Sequence, residues 1–375
     1  TGVFRAQSGT KVQFTQYNLN SRYGIYVEFY DEHLQKRRRT EVPASAFQKG
    51  LPSGNARPTY GYKRVEAEQE PLSTFIQGVL SDLEKPIEVL FEGADLDMYK
   101  VISKNKFKNA KLSKSIDSID ESFAFLSVGH WMQGDLGHDR KNMGLLVKAF
   151  YEVWKNKNNP PALILKTTCA AASYTDRREI LNRINIIRDS IPNATKLPKI
   201  YLIHGDLSNT DMNELYNHPK VKSFISLTRG EGFGRPLLEF SLTNKPIIAS
   251  AWSGQLDFLD KEFTALVGGK LEKLHPSSQI KDMLINESEW FAPDHAHIKQ
   301  AMTDVVKNYK QWLVKGKRQG FKSRENFNFE SMKGKLNSIL DSNVPKLAKK
   351  MELNLDGIKS IKLPKKTTKK SKVNV

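Results

Sequence analysis

Cysteine is almost absent, with one residue, Cys169, in a chain of 375. That excludes a disulfide-stapled scaffold and any zinc or iron–sulfur site built from several thiolates. No apolar run approaches the ~18 residues needed to cross a bilayer as a helix, so no transmembrane segment is expected. Acidic residues are also short, with 41 Asp+Glu against 59 Lys+Arg, for a formal net charge of +18. The surplus suits an anionic partner, whether nucleic acid, an acidic lipid surface or a phosphorylated small molecule, and does not choose among them. Thr1 to Gly9 have neither an initiator Met nor a positive-then-apolar signal pattern, as expected of a trimmed or processed start. The chain is 39% hydrophobic, enough for a large packed core. At roughly 100–200 residues per domain, its length suggests two domains.

Before residue 71 the hydrophobic pattern is faint. Residues 11–15 read as a strand and 23–30 as a further element of either type. Lys36-Arg37-Arg38-Arg39 suits either phosphate contact or a solvated surface, and a Pro/Gly-rich loop over 43–61 follows. The spacing of Leu72, Phe75, Ile76, Val79, Leu80 and Leu83 predicts a helix over 72–83, with a short strand over 86–91 behind it. The polar, Lys/Ser-rich stretch 100–120 reads as the crossing between domains.

Beyond it the pattern sharpens. Strands are predicted over 123–129, 162–166, 200–204, 223–227 and 246–250. Helices are predicted over 143–154, 175–189, 212–216 and 235–243. Short apolar strands separated by helices indicate βα units and a largely parallel sheet. Helices over 277–286 and 295–315 follow, the latter with Ile298, Met302, Val305, Val306, Tyr309 and Leu313 broadly on one side. Residues 341–375 hold ten Lys against three Asp/Glu and read as a polybasic tail.

Two loops could carry chemistry. Thr228-Arg229-Gly230-Glu231-Gly232-Phe233-Gly234-Arg235-Pro236-Leu237-Leu238-Glu239 follows a strand, contains three glycines and opens a helix. Glycines allow close backbone approach, and amides at a helix start attract a phosphate or a charged sugar oxygen. Glu231 in the turn and Glu239 inside the helix suit hydroxyl recognition, because carboxylates accept charge-assisted hydrogen bonds. Spacing alone fits capping and an ordinary exposed acidic pair equally well. The second loop runs from Gly129 through His130 and His138 to Arg140-Lys141-Asn142. Its adjacent cations could neutralise a diphosphate leaving group, or form a plain solvated pair.

Together these residues resemble the nucleotide-sugar-binding domain of GT-B glycosyltransferases, specifically the retaining family 4. The resemblance rests on Phe125-Leu126-Ser127-Val128-Gly129, Arg140-Lys141-Asn142, Glu231-Gly232-Phe233-Gly234-Arg235-Pro236-Leu237-Leu238-Glu239, Asn244-Lys245-Pro246-Ile247-Ile248-Ala249 and Ser253-Gly254, in order across about 123–270. It implies an α/β fold with two Rossmann-like domains, the first short or incompletely represented. The implied division is a reduced acceptor-side domain (1–100), an interdomain segment (101–122), a donor domain (123–290), C-terminal helices returning toward the first domain (291–340) and the basic tail (341–375). Trp290 to Asp294 resembles the segment before that return. Asn18 to Gly24 is the candidate for the family's acceptor-side loop.

The resemblance also implies roles. Arg140 and Lys141 face the donor diphosphate and Glu231 the donor sugar, as the catalytic set. Gly129, His204, Gly232, Phe233, Gly234 and Glu239 bind the donor, with Glu239 on ribose hydroxyls. The implied reaction is retaining transfer of a sugar from a nucleotide diphosphate sugar to a hydroxyl. No metal or cofactor is required by this scheme, because two cations do the charge work and no Asp-x-Asp sits beside the donor loop. The positive charge suggests hydroxymethylated DNA as acceptor, as for virus-encoded DNA-modifying glycosyltransferases. The alternatives are a lipid-linked or cell-wall glycan at an anionic membrane, a protein or small molecule, or a non-catalytic nucleotide-sugar-binding module. The expected location is cytoplasmic, in host cytoplasm for a viral enzyme, with peripheral membrane association for the lipid alternative. His295, His297 and Asp294 read as polar residues at a helix start rather than metal ligands, and Cys169 as a packed thiol.

Overall fold

The computed structural model describes residues 88–132, 134, 137–169, 172–279, 284 and 288–343, together with four strands before them. Those strands, β1 (Gly2–Arg5), β2 (Lys11–Phe14), β3 (Tyr26–Asp31) and β4 (Lys36–Glu41), form an antiparallel meander in sequential order. The basic run 36–39 therefore belongs to a strand. The helix expected over 72–83, the loop 43–61, the acceptor-side candidate 18–24 and the tail beyond 343 lie outside the described residues.

The rest is built on a six-stranded parallel sheet. After α1 (Ala110–Asp117), it comprises β5 (Ala124–Val128), β6 (Ala162–Lys166), β7 (Ile200–Ile203), β8 (Val221–Ser226), β9 (Ile247–Ser250) and β10 (Ala265–Val267), in spatial order β10-β9-β8-β5-β6-β7. The first strand thus lies in the middle. The chain winds outward through β6 and β7, then crosses back to β8 and winds the other way. The carboxyl ends of β5 and β8 flank the reversal, where an open parallel sheet leaves a crevice.

Alternation along the strands explains the layers. Phe125, Leu163, Leu165, Ile225 and Ile248 enter one buried cluster with α2 (Met143–Trp154), α3 (Tyr174–Asp189) and α6 (His295–Lys307). Leu126, Ile164, Phe224, Ile247 and Ala249 enter the other, with α4 (Asn209–Asn217) and α5 (Arg235–Ser241). Strands covered on both faces must be apolar throughout, which is why the period-2 signal is replaced by continuous apolar runs. The polar stretch 100–120 conceals Ile116 and Ile119, which α1 and its end bury in the second cluster.

Three predicted elements need correction. Residues 88–91 form no strand. Of the helix predicted over 277–286, residues 277–278 belong to a 3-10 turn, Pro276–Ser278, residue 279 has left it, and most of the remainder lies outside the described residues. The helix predicted over 295–315 is two, α6 and α7 (Tyr309–Asn326), because Asn308 leaves helical geometry (φ −109°, ψ 32°) and turns its side chain back to Asp304 at 2.5 Å. An apolar stripe continues across such a break, so periodicity does not reveal it.

Between β10 and α6, a hairpin of β11 (Gly269–Lys273) and β12 (Glu289–Pro293) contains residues 290–293, and Asp294 follows it as the N-cap of α6. α8 (Phe329–Asn343) closes the described chain, and the backbone just before and at its start brackets Ala94: Ala94 N–H donates to Phe327 at 2.8 Å and Phe329 N–H to Ala94 at 3.1 Å. Among the described residues, no helix is long and apolar enough to cross a membrane.

α7 lies against the α5–β9 connection through two glycines. A Cβ on Gly316 would stand 2.7 Å from the Lys245 carbonyl carbon and 2.9 Å from the Asn244 oxygen. Helix propensity favours alanine over glycine by ~1 kcal/mol, whereas overpacking costs about 1–3 kcal/mol. The obstruction is backbone and cannot swing aside, so Gly316→Ala is expected to lower the urea midpoint of unfolding rather than raise it.

Candidate functional site

The loops leaving β5 and β8 meet at the reversal of strand order. Lys141 donates a hydrogen bond from Nζ to Glu231 Oε1, and Arg140 Nη1 stands 3.5 Å from Glu231 Oε2. The same guanidinium donates to the Gly230 carbonyl at 2.7 Å. Three residues expected to share a site are thus brought together across 90 positions of sequence. The Lys141 and Glu231 side chains keep 14% and 10% of their surface exposed, so this is a largely buried pair. Burial pulls the Lys141 amine down from its ordinary value, and Glu231 works against that shift.

Asn142 completes the first loop. It adopts the left-handed region (φ 57°) just before α2, and its Nδ2 donates to the Leu227 carbonyl at 3.0 Å. Asparagine tolerates this backbone better than most residues, so the Arg-Lys-Asn triplet ends in a residue with a conformational task. Asp139, fully buried, accepts from the N–H groups of Met143 at 3.1 Å and Gly144 at 3.4 Å.

Ser253-Gly254 supports the second loop. Ser253 Oγ accepts from Glu231 N–H at 3.1 Å and donates to the Glu231 carbonyl at 2.7 Å, which also receives Gly254 N–H at 3.1 Å. A Cβ on Gly254 would overlap the Gly232 carbonyl, so only glycine permits this approach. Gly232 is exposed and Gly234 takes φ 97°. The Phe233 ring is buried, 5.0 Å from Phe258.

Glu239 is held apart from this cluster. Tyr216 donates to its Oε2 at 3.2 Å, Tyr99 also hydrogen-bonds it, and Arg235 Nη2 lies 3.7 Å from Oε1. The carboxylate faces a tyrosine pair instead of joining the cations. His204, at the end of β7, makes a 2.8 Å contact through Nε2 to Asp176 Oδ2, and the same carboxylate receives Cys169 N–H. Gly129 N–H donates to the Lys166 carbonyl at 3.1 Å, directly after β5.

Of the other candidates, Asp294 caps α6 by accepting from Ala296 and His297 N–H groups, which gives it a structural role. His130 Nδ1 lies 2.9 Å from Thr168 Oγ1, while His138 stacks on His275 with centroids 4.0 Å apart. Burial pushes the Cys169 thiol up, away from thiolate character. Lys245, part of the Asn-Lys-Pro signature, donates to the carbonyls of Tyr216 at 2.7 Å and His218 at 2.9 Å.

Sequence reasoning passed over Arg229, Asp139, Tyr99 and Tyr216. Arg229 is 8% exposed, and burial lowers its guanidinium while Glu272 and Asp139 oppose the shift. No local signal marks a buried cation, since its partners come from distant segments.

No protein-family model matches the chain, and no curated protein matches it. Solved structures do. The Anabaena protein Alr3699/HepE, in complex with UDP and glucose, aligns with a TM-score of 0.51 at 12% identity, over 72% of this chain and 62% of that one. Sucrose-phosphate synthase from Thermosynechococcus elongatus aligns at 0.49 with 16% identity, over 72% and 57%. A glycosyltransferase from Rickettsia africae aligns at 0.48 with 15% identity, over 74% and 63%. This chain therefore spans less than two thirds of the length of each. At such identity the likeness is one of fold. It is an α/β fold of the GT-B glycosyltransferase type, as the motifs led us to expect.

Burial raises the Glu239 carboxyl above its ordinary value, against the opposing effects of Arg235, Tyr216 and Tyr99. A raised folded value means that the fold retains this proton longer than the unfolded chain does. The stabilising contribution is complete below the unfolded carboxyl's range and is lost as pH rises through the raised folded value. Relative to Glu239→Gln, the wild-type urea midpoint should therefore fall across that window. Tyr216→Phe removes a hydrogen bond to the ionised form, so carbon-13 NMR titration should find the Glu239 carboxyl higher still.

Proposed function

We propose that this chain transfers a sugar from a nucleoside diphosphate sugar to a hydroxyl acceptor, with retention at the anomeric carbon. The observation that carries the reading is the convergence of Arg140, Lys141 and Glu231 at the β5/β8 crevice. The fold likeness to a protein solved with UDP and glucose supports the class of donor.

In this reading Arg140 and Lys141 engage the diphosphate. Phosphate oxygens compete with Glu231 for the two cations, and each N–H donor then meets negative charge that grows as the sugar departs. Preformed cations need little rearrangement at that moment. Glu231, with its backbone fixed by Ser253 and Gly254, is released to accept from a sugar hydroxyl. The exposed turn at Gly232 offers backbone amides to the same ligand. Glu239 takes the ribose hydroxyls, and Gly129 and His204 flank the nucleoside. The bond from the anomeric carbon to the phosphate oxygen breaks and the acceptor oxygen bonds to that carbon from the same face. The acceptor proton passes to the departing phosphate, so no carboxylate nucleophile is needed. Two cations supply the charge stabilisation that a metal supplies elsewhere.

The acceptor is the finer part of the proposal. The +18 balance is compatible with a polyanion bearing a hydroxyl, and we take hydroxymethylated DNA as the acceptor of that description. A lipid-linked glycan in an anionic membrane is the competing acceptor.

Arg140→Ala combined with Lys141→Ala is expected to reduce donor-dependent turnover by about 100-fold or more, in the range seen when transition-state charge stabilisation is removed, with circular dichroism unchanged. Near-normal transfer by that folded variant would reject the assignment. Wild-type protein should be supplied with UDP-, GDP- and ADP-sugars and, in parallel, hydroxymethylated DNA, unmodified DNA and lipid-linked hydroxyl acceptors in anionic vesicles. Product on lipid alone would replace the DNA acceptor. Donor binding with neither hydrolysis nor transfer would favour a binding module.

A further inference from the structure

Arg229 lies three residues past β8 with 8% of its surface exposed. It grips the loop carrying Arg140 at two points. Its backbone N–H donates to the Arg140 carbonyl at 2.9 Å, and its guanidinium Nη2 donates to the Gly137 carbonyl at 2.6 Å. Gly137 turns there in the left-handed region, at φ 83°. Behind Arg229, its own carbonyl accepts from Phe291 N–H at 3.1 Å, which ties it to β12.

The loop between the two grip points holds Asp139, fully buried and electrostatically coupled to the guanidinium. Asp139 in turn receives the first N–H groups of α2. One chain of contacts therefore runs from β12 through Arg229 to the loop 137–141 and the start of α2. Burying a cation and a carboxylate costs desolvation that an apolar pair of the same volume avoids. What the guanidinium adds is direction, because its planar fork fixes the carbonyl it meets.

We propose that Arg229 is a positioning residue for donor recognition: it fixes the loop 137–141 so that the Arg140 side chain is held at the Gly230 carbonyl and Glu231, ready for a diphosphate. This rests on the reading of Arg140 as a diphosphate-binding group. Arg229 itself touches loop backbone, so its effect on ligand must pass through Arg140.

The test is a double-mutant cycle on the full chain. UDP, GDP and ADP are titrated in turn by calorimetry into wild type, Arg229→Met, Arg140→Met and the double variant. Arg229→Met should weaken binding of the preferred diphosphate by about tenfold, yet weaken Arg140→Met further by less than about twofold, the signature of coupled residues. Hydrogen exchange over 137–143 should quicken in Arg229→Met while Arg140→Met leaves it unchanged. Equal losses in both backgrounds would overturn the positioning role and leave a merely structural one, as would unchanged binding despite quickened exchange. If Arg229→Met does not fold, Arg229→Lys takes its place in the cycle, where a smaller loss that also vanishes in the Arg140→Met background supports the proposal and an additive loss overturns it. A wild-type chain that binds none of the three diphosphates would overturn the functional reading and the positioning role with it.

Discussion

One carboxylate holds the two candidate-site loops of this molecule together. Glu231 meets Lys141 through a hydrogen bond and Arg140 at 3.5 Å, in surroundings that leave the lysine and the carboxylate little contact with water. A charge so placed depends on its partner, and removing one member of such a pair typically costs about 3–5 kcal/mol because the other is stranded. The pair can form only if β5 and β8 are neighbours with their carboxyl ends level. The sheet order is thus a precondition of the site, and the site in turn adds electrostatic closure to the crevice.

Around that pair the supports are mostly backbone contacts made by side chains whose chemistry is otherwise unremarked in the motif. Ser253 Oγ both donates to and accepts from the Glu231 peptide. Asn142 spans to Leu227, and Arg229 reaches Gly137. Each contact ties one loop at the carboxyl ends of the strands to another. Precision of this kind matters for charge stabilisation, since donors aimed in advance lose little free energy when charge appears.

The helices that follow the sheet extend the same logic. Gly316 and Gly320 let α7 approach the α5–β9 connection at backbone distance. Lys245 is drawn into the seam beneath it, where burial brings its amine down to about 7 while the Tyr216 and His218 carbonyls hold it. Tyr216 sits at a junction, with its carbonyl on Lys245 and its hydroxyl on Glu239. A residue expected to serve the ligand is thereby tied to one that serves packing.

Much of the parallel sheet was legible from residues alone. The runs at 124–128, 162–166 and 247–250 are apolar enough, and bounded sharply enough, that doubly covered strands were the natural reading. The two site loops were legible too, because glycines, paired cations and spaced carboxylates are unusual together. What failed was local. Asn308 interrupts a stripe that stays apolar across the break, and the polar stretch around α1 hides two isoleucines among lysines. Burial of Arg229 and Asp139 was invisible for another reason: a charged residue can be buried only by partners that compensate it, and those partners lie on β11, on the 137–141 loop and at the start of α2. The chain by itself determined most strands of the parallel sheet, the helices between them and which residue types stand at the strand ends, since hydrophobic period and glycine placement act over a few residues. Which ends face one another, which carboxylate takes the cations and which is held by tyrosines was decided only by the tertiary structure, because electrostatic pairing depends on distances that the order of strands sets and the order of residues does not.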